Sequence, residues 1–295
     1  MSEYRRRGEP KDTIEETFNR YVLEDRKPEL PKVMEEAQPQ ELKAPEIAPE
    51  KRVPQPKIVP THIAGLDDLL GGGIPNNSLI LIVGSIGSGY TTFINQLLHN
   101  NLTDGGKAAY YATETSSFDV EQEMQTFGWS LRPFTQNGSC SFINVLTPEL
   151  QKLAELAPES FSQLRVNLSG SLNALKTDLL SRLKENRWTI LDLNHILQTY
   201  DLKEVIGLML YWRAAVQVYG GVNVAVVPSG VHDERVENAL KNVVDGVFVF
   251  RLREGPVEYG GDLIVQKLRG MRTAKKVSYT VSEEGIVVET AMRIR

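Results

Sequence analysis

The segment Gly84-Ser85-Ile86-Gly87-Ser88-Gly89-Tyr90-Thr91 follows the phosphate-binding pattern G-x-x-x-x-G-K-[ST] at every defined position except one. Tyr90 stands where the pattern has lysine. The glycines let successive backbone N–H groups curl around a chain of phosphates, and a helix starting just after the loop adds a favourable dipole. Gly84, Ser85, Gly87, Ser88, Gly89, Tyr90, Thr91 and Thr92 therefore form a candidate nucleotide cradle. A lysine would place a mobile positive charge at the outer phosphates, and tyrosine cannot. The cradle is expected with its main charge missing.

Two carboxylates bear on the same chemistry. Trp188-Thr189-Ile190-Leu191-Asp192 is an apolar run closed by an acid. A phosphate loop needs such an acid at a neighbouring strand end to hold Mg²⁺ together with the loop hydroxyl, here Thr91. An aspartate in that position also caps turns and helices. Glu114 closes the run Lys107–Thr113 and could polarise an attacking water as general base, or stand as a solvated strand-end glutamate.

The elements needed to hold these groups can be read from the pattern. Leu79-Ile80-Leu81-Ile82-Val83 reads as a buried strand and Phe93-Ile94-Asn95-Gln96-Leu97-Leu98 as the start of a helix, the context the loop requires. Strands are expected at 78–83, 107–113, 140–145, 187–192, 222–227 and 246–251, and helices at 91–100, 118–127, 171–186 and 203–219. Leu172, Leu175, Leu179 and Leu183 repeat at helical spacing in the third helix. Such alternation predicts an α/β domain, its mostly parallel sheet covered by helices on both faces. Runs at 261–267, 276–281 and 285–290, joined by short links, predict a C-terminal antiparallel extension.

Residues 1–57 differ in kind. They hold eight of the fifteen prolines, with charges of mixed sign and few aromatics, a composition that predicts a disordered tail. Within it Asp12-Thr13-Ile14-Glu15 resembles a helix-capping box, and Ile14, Phe18, Tyr21 and Val22 fall on one helical face. A short helix at 12–24, either transient or docking to a partner protein, is expected there, with 28–57 as a stiff tether. Residues 58–295 form the second unit. Apolar runs are strand-length, well short of the roughly 20 residues of a spanning helix, and no apolar stretch follows the basic N-terminus. With one cysteine and four histidines at no metal-ligand spacing, the chain reads as cytoplasmic, without disulfides.

A wider set of residues now points to a family. Gly65-Leu66-Asp67-Asp68-Leu69-Leu70-Gly71-Gly72-Gly73-Ile74-Pro75 resembles the signature that precedes the phosphate loop in KaiC-type ATPases of the RecA superfamily. Thr126-Phe127-Gly128-Trp129 is similar to the family's F-G-W, and Asp192-Leu193-Asn194-His195 falls at its magnesium-binding aspartate. Asp245-Gly246-Val247 and Lys267-Leu268-Arg269-Gly270 resemble its D-G-V and K-x-R-G. The likeness spans roughly 60–295, a single domain of a kind typical of archaea. It implies a RecA-like fold, ATP with Mg²⁺ as cofactors, and a homo-oligomer, plausibly a hexameric ring. It also gives Lys267 and Arg269 a role, as charges supplied in trans to the γ-phosphate held by the neighbouring subunit.

The departures cluster at one chemical site. Tyr90 replaces the lysine, Glu114 is followed by Thr115 where members commonly carry a second glutamate, and Leu193 replaces the usual serine. The resemblance with these losses implies a regulatory or scaffolding ring subunit that binds ATP weakly or not at all, a pseudo-ATPase. One alternative is a working ATPase with lysine supplied from elsewhere or by the neighbouring subunit. Another is a recombinase relative that binds single-stranded DNA. Its DNA loops would be Leu193–Leu202 and Pro228–Val244, neither of them strongly basic or rich in glycine or aromatics, and the net charge is −5, which argues against nucleic acid. The basic residues Arg269, Arg272, Lys275 and Lys276 fit a subunit interface or a solvated hairpin better.

Overall fold

The computed structural model describes residues 57–113, 117–146, 167–169, 171–253 and 260–289. The expected tail helix at 12–24 and the candidate base Glu114 lie outside the described residues. Everything below belongs to the unit Pro54–Arg295.

Ten strands form one sheet. A parallel block runs in the spatial order β9 (Gly246–Leu252), β3 (Ser78–Gly84), β8 (Val222–Pro228), β7 (Arg187–Asp192), β4 (Lys107–Ala112), β5 (Cys140–Leu146) and β6 (Asn167–Ser169). Beyond β9 the sheet continues antiparallel through β10 (Gly260–Lys267), β11 (Lys275–Ser282) and β12 (Gly285–Val288). A small separate pair joins β1 (Ile58–Val59) to β2 (Ile74–Pro75). This is a RecA-like α/β sheet with an antiparallel C-terminal extension.

Strand alternation explains why helices cover both faces. On β3, Ile80 and Ile82 face one core with Phe93, Ile94, Leu97 and Leu98 of helix α2 (Tyr90–Thr103). Leu79, Leu81 and Val83 face the other, where α5 (Leu172–Lys184) and α7 (Leu202–Tyr219) pack. The leucines at helical spacing on α5 are all buried there. Three further helices lie in stretches where no helix is expected from sequence: α1 (Leu66–Leu70), α4 (Arg132–Gln136) and α6 (Asn194–Thr199). Another, α8 (Glu234–Val243), occupies most of the second region considered for DNA loops. Helix α3 (Ser117–Thr126) matches the expected 118–127 to within a residue.

The end of the sheet at which β3 begins is tied by a buried ion network. Asp245 is 4% exposed and accepts from the Leu79 N–H at 3.1 Å. Arg213 of α7 and Arg269 both reach it, at 2.9 and 2.8 Å. Burial by itself pushes the Asp245 carboxyl up, but bonds from Arg269, the Leu79 amide and Arg213 outweigh it and hold the carboxyl below its usual range. A carboxyl depressed in the folded state stabilises above its unfolded value, near pH 4, and that contribution is lost as pH falls through the folded value. Asp245→Asn should therefore lower stability at pH 7 by about 3 kcal/mol, because two guanidinium groups are left facing an uncharged amide. Urea melts between pH 2.5 and 7 check this, and the variant should show a flatter loss of stability below pH 4 than the parent.

Candidate functional site

The glycine loop leaves the carboxyl end of β3 and leads into α2. Gly87 and Gly89 take positive φ, 78° and 74°. The Ser88 N–H returns to the Ser85 carbonyl at 3.0 Å, closing the loop into a turn. Ser85 pins it to β9: its N–H donates to the Phe250 carbonyl at 3.1 Å, and its hydroxyl accepts from the Leu252 N–H at 3.2 Å. Gly89 occupies the N-cap position of α2 with no side-chain cap, and the first turn carries no acid. That backbone suits an anion.

Tyr90 changes the side-chain half of the site. Its ring lies against the loop's own strand, so close that a Cβ on Gly84 would stand 2.2 Å from the ring carbons. Half-buried, it joins the core on the α2 side. Thr91, the expected metal ligand, is exposed and donates to Glu123 of α3 at 3.2 Å. Asp192 closes β7, and its carboxylate accepts from the Asn194 N–H at 2.8 Å at the start of α6. Tyr110 of β4 ties these groups together. Burial first, then the charges of Asp192 and Glu123 and the nearby Tyr90, hold its hydroxyl well above the ordinary tyrosine range. Tyr110 thus lies within electrostatic reach of Asp192, Glu123 and Tyr90. Thr92 is buried in the first turn of α2.

The C-terminal strands form the other wall. The Tyr279 hydroxyl on β11 donates to the Ser88 carbonyl. Tyr279 is fully buried, and this burial is the chief reason its hydroxyl is pushed up to about 12. Val281 comes within 3.0 Å of where a Cβ on Gly89 would be. Gln96 of α2 exchanges two hydrogen bonds with the Ile286 backbone, one of them at 2.8 Å. Between loop and hairpin lies a cleft of about 800 Å³, walled by residues 86–87 and 89–92, Thr126–Phe127, Gly260 and Val281–Glu283. Among these residues there is no lysine or arginine, and Glu283 is the one ionised side chain. Phe127 is backed by Trp129, stacked at 4.7 Å between ring centroids.

Lys267 and Arg269 sit elsewhere in the same chain. Lys267 pairs in register with Val247, and its ammonium donates to the Lys241 and Asn242 carbonyls at 3.3 Å, at the C-terminus of α8. That is a favourable place for a cation. Burial, and then the charge of Arg213, lower its pKa. Arg269 holds Asp245, which lies beside Leu79 at the far end of β3 from the loop, about 16 Å away along the strand. Neither reaches its own loop.

A family model described as "ATPase: KaiC" matches residues 59–292. The chain belongs to the KaiC ATPase family. A UPF0273 protein of Thermotoga maritima is 26% identical over 239 residues, covering 78% of this chain and 95% of the relative. A UPF0273 protein of Pyrococcus horikoshii is 26% identical over 234 residues, covering 78% and 93%. Among solved structures, a KaiC-like protein of the same archaeon superposes with a TM-score of 0.58 at 20% identity, covering 79% of this chain and 99% of that one. That likeness concerns the fold alone. Among the described residues of this KaiC-family chain, no helix is long and apolar enough to cross a membrane.

The fit to MgATP is therefore divided. The backbone cradle suits a phosphate chain, and Thr91 with Asp192 would be the residues to hold Mg²⁺, but the residues that wall the cleft include no lysine or arginine; the nearby cation is Arg253, next to Leu252 on the Ser85 side and within electrostatic reach of Tyr279. Sequence reasoning had located the loop, Asp192 and the Phe127 motif; it missed Glu123, Tyr110, Tyr279 and Glu283. Alternation along Lys107–Ala112 could have put Tyr110 on the loop side, whereas nothing local marks Tyr279. The contact between Gly84 and Tyr90 is open to test. Gly84→Ala should destabilise the protein by about 1–3 kcal/mol through overpacking, and most of that loss should vanish when Tyr90→Ala is the background. Thermal melts of the four proteins measure this coupling.

Proposed function

We propose that this KaiC-family chain is a pseudo-ATPase. In this reading it is a regulatory or scaffolding subunit of a homo-oligomeric ring that binds ATP weakly or not at all. The observation that carries the proposal is the cleft beside the loop, with no cation in its walls and Glu283 among them. Phosphoryl transfer relies on electrostatic stabilisation of the transferring group, usually the largest single catalytic contribution. Here the position of the loop charge holds a tyrosine packed on Gly84, and the loop hydroxyl is engaged by Glu123. Lys267 and Arg269 would serve a neighbour's site in trans, and Glu114 would have little substrate to act on. The tail at 12–24 would contact a partner protein in the same regulatory role.

Calorimetric titration of MgATP into the full chain tests the reading. The parent protein should show no binding tighter than about 1 mM, and Tyr90→Lys should tighten it about tenfold or more by restoring the missing charge. Micromolar binding by the parent, with turnover abolished by Asp192→Asn or Lys267→Ala, would instead establish a working ATPase.

A further inference from the structure

Helix α7 is apolar on every side, and one of those sides is bare. Its inner face, Val205, Leu208, Met209, Trp212, Ala215 and Val216, is buried in the core on that side of the sheet. Yet Leu210, Tyr211 and Val218 are 49%, 37% and 73% exposed. From Val205 to Tyr219 the one charged residue is Arg213, and it is turned to Asp245. A helix that is hydrophobic all round is ordinarily buried all round. Gly207 sharpens the point. A Cβ there would meet nothing within 4 Å, so no neighbour in this chain requires a glycine that weakens the helix interior.

The bare side reads the same from either end. Positions 207, 210, 211 and 214 run small, large, large, small along one stripe of the helix, Gly207 and Ala214 being seven residues apart. A two-fold axis between positions 210 and 211 would set a second α7 antiparallel to the first. Each Gly207 would then face an Ala214, and at the axis leucine would meet leucine and tyrosine meet tyrosine. Such self-complementarity is what an isologous contact demands, and the small residues let the two backbones approach. Charge agrees with the same register. The last turn of α7 carries no basic residue, although its carbonyl end favours a cation. Lys203 is exposed, makes no ion pair among the described residues, and would lie opposite Val218 of the second copy.

We infer that the outer face of α7 binds the same face of a second copy of this chain, antiparallel, through a two-fold contact that leaves the loop cleft free. Between single subunits the contact makes a dimer; between rings it joins two rings face to face. It does not depend on nucleotide. The stripe ends beside Asn77, whose amide donates to the Gln217 carbonyl at 3.2 Å, at the end of β3 remote from the loop. One helix face is smaller than the roughly 800 Å² per partner of a standard stable interface, so association belongs at micromolar concentration. A membrane is the poorer occupant, because on α7 the stripe is bordered by a single free lysine, whereas interfacial helices are rich in lysine and arginine.

Cysteine cross-linking and light scattering on the full chain, free of nucleotide, test the contact; the native Cys140 is buried. Under mild oxidation Leu210→Cys should link to itself, because the two copies of position 210 flank the axis. Val218→Cys should not, since its copies would stand about 22 Å apart along the paired helices, but it should link to Lys203→Cys when the two proteins are mixed. The parent's mass should double between about 1 and 200 μM, and Leu210→Asp, verified as folded by circular dichroism, should lose that doubling. Self-linking by Val218→Cys as readily as by Leu210→Cys, absence of the mixed link, or the same mass curve for parent and Leu210→Asp would overturn the inference. So would a Leu210→Cys link that forms only with MgATP. Flotation of the parent with anionic phospholipid vesicles, abolished by Leu210→Asp with no change in mass, would assign the face to a membrane and overturn it as well.

Discussion

Strand β3 is hydrogen-bonded along both edges, to β8 and β9, and all seven of its residues are buried. A strand so placed has no freedom to slip, because a shift of one residue would exchange the Ile80–Ile82 face with the Leu79–Leu81–Val83 face. The position of the glycine loop follows from that constraint. So does the direction of α2, whose Phe93, Ile94 and Leu97 pack onto the same strand's outer face. The two ends of β3 then differ chemically. One is tied by the Asp245 carboxylate to two arginines, the other opens on a cleft whose walls hold no lysine or arginine.

The antiparallel extension does more than lengthen the sheet. β11 carries its basic loop at one end and its loop-facing residues, Tyr279 and Val281, toward the other. The basic segment and the hydroxyl that donates to the Ser88 carbonyl thus belong to one strand. The contacts from Gln96 to Ile286 make α2 and β12 part of the same body.

The parallel sheet was legible from sequence because most of its strands are apolar runs and its longer covering helices carry apolar residues at helical spacing, leucines in α5 and a mixed set in α7. The site was legible as far as its backbone: glycine spacing, strand before, helix after. What stayed hidden has physical reasons. β6 is three residues, Asn167–Ser169, too short for any periodicity. Helix α8 is strongly amphipathic and rich in charge, so its segment reads as a polar loop until Leu240 is seen buried. The Tyr279–Ser88 bond joins residues 191 apart, and Thr91–Glu123 links a helix start to a helix interior. Side chains meeting across elements leave no local mark.

The loop also shows why a glycine pattern by itself is ambiguous. Gly84 makes room for the Tyr90 ring, since any Cβ there would collide with it. Gly89 faces Val281 at 3.0 Å and carries a positive φ, so both its backbone and its missing side chain serve the contact with β11. Of the loop's three glycines, only Gly87, which is not one of the two the pattern defines, has open space around its absent side chain, and its demand is a φ of 78° in the turn closed by Ser88. Each of these requirements is met within the protein itself, with no phosphate needed to account for it. The lysine of the pattern has no such internal purpose, because its charge is useful only to a ligand. A chain that keeps the glycines and lacks the lysine has therefore kept the geometry of the motif while giving up the part that geometry does not explain.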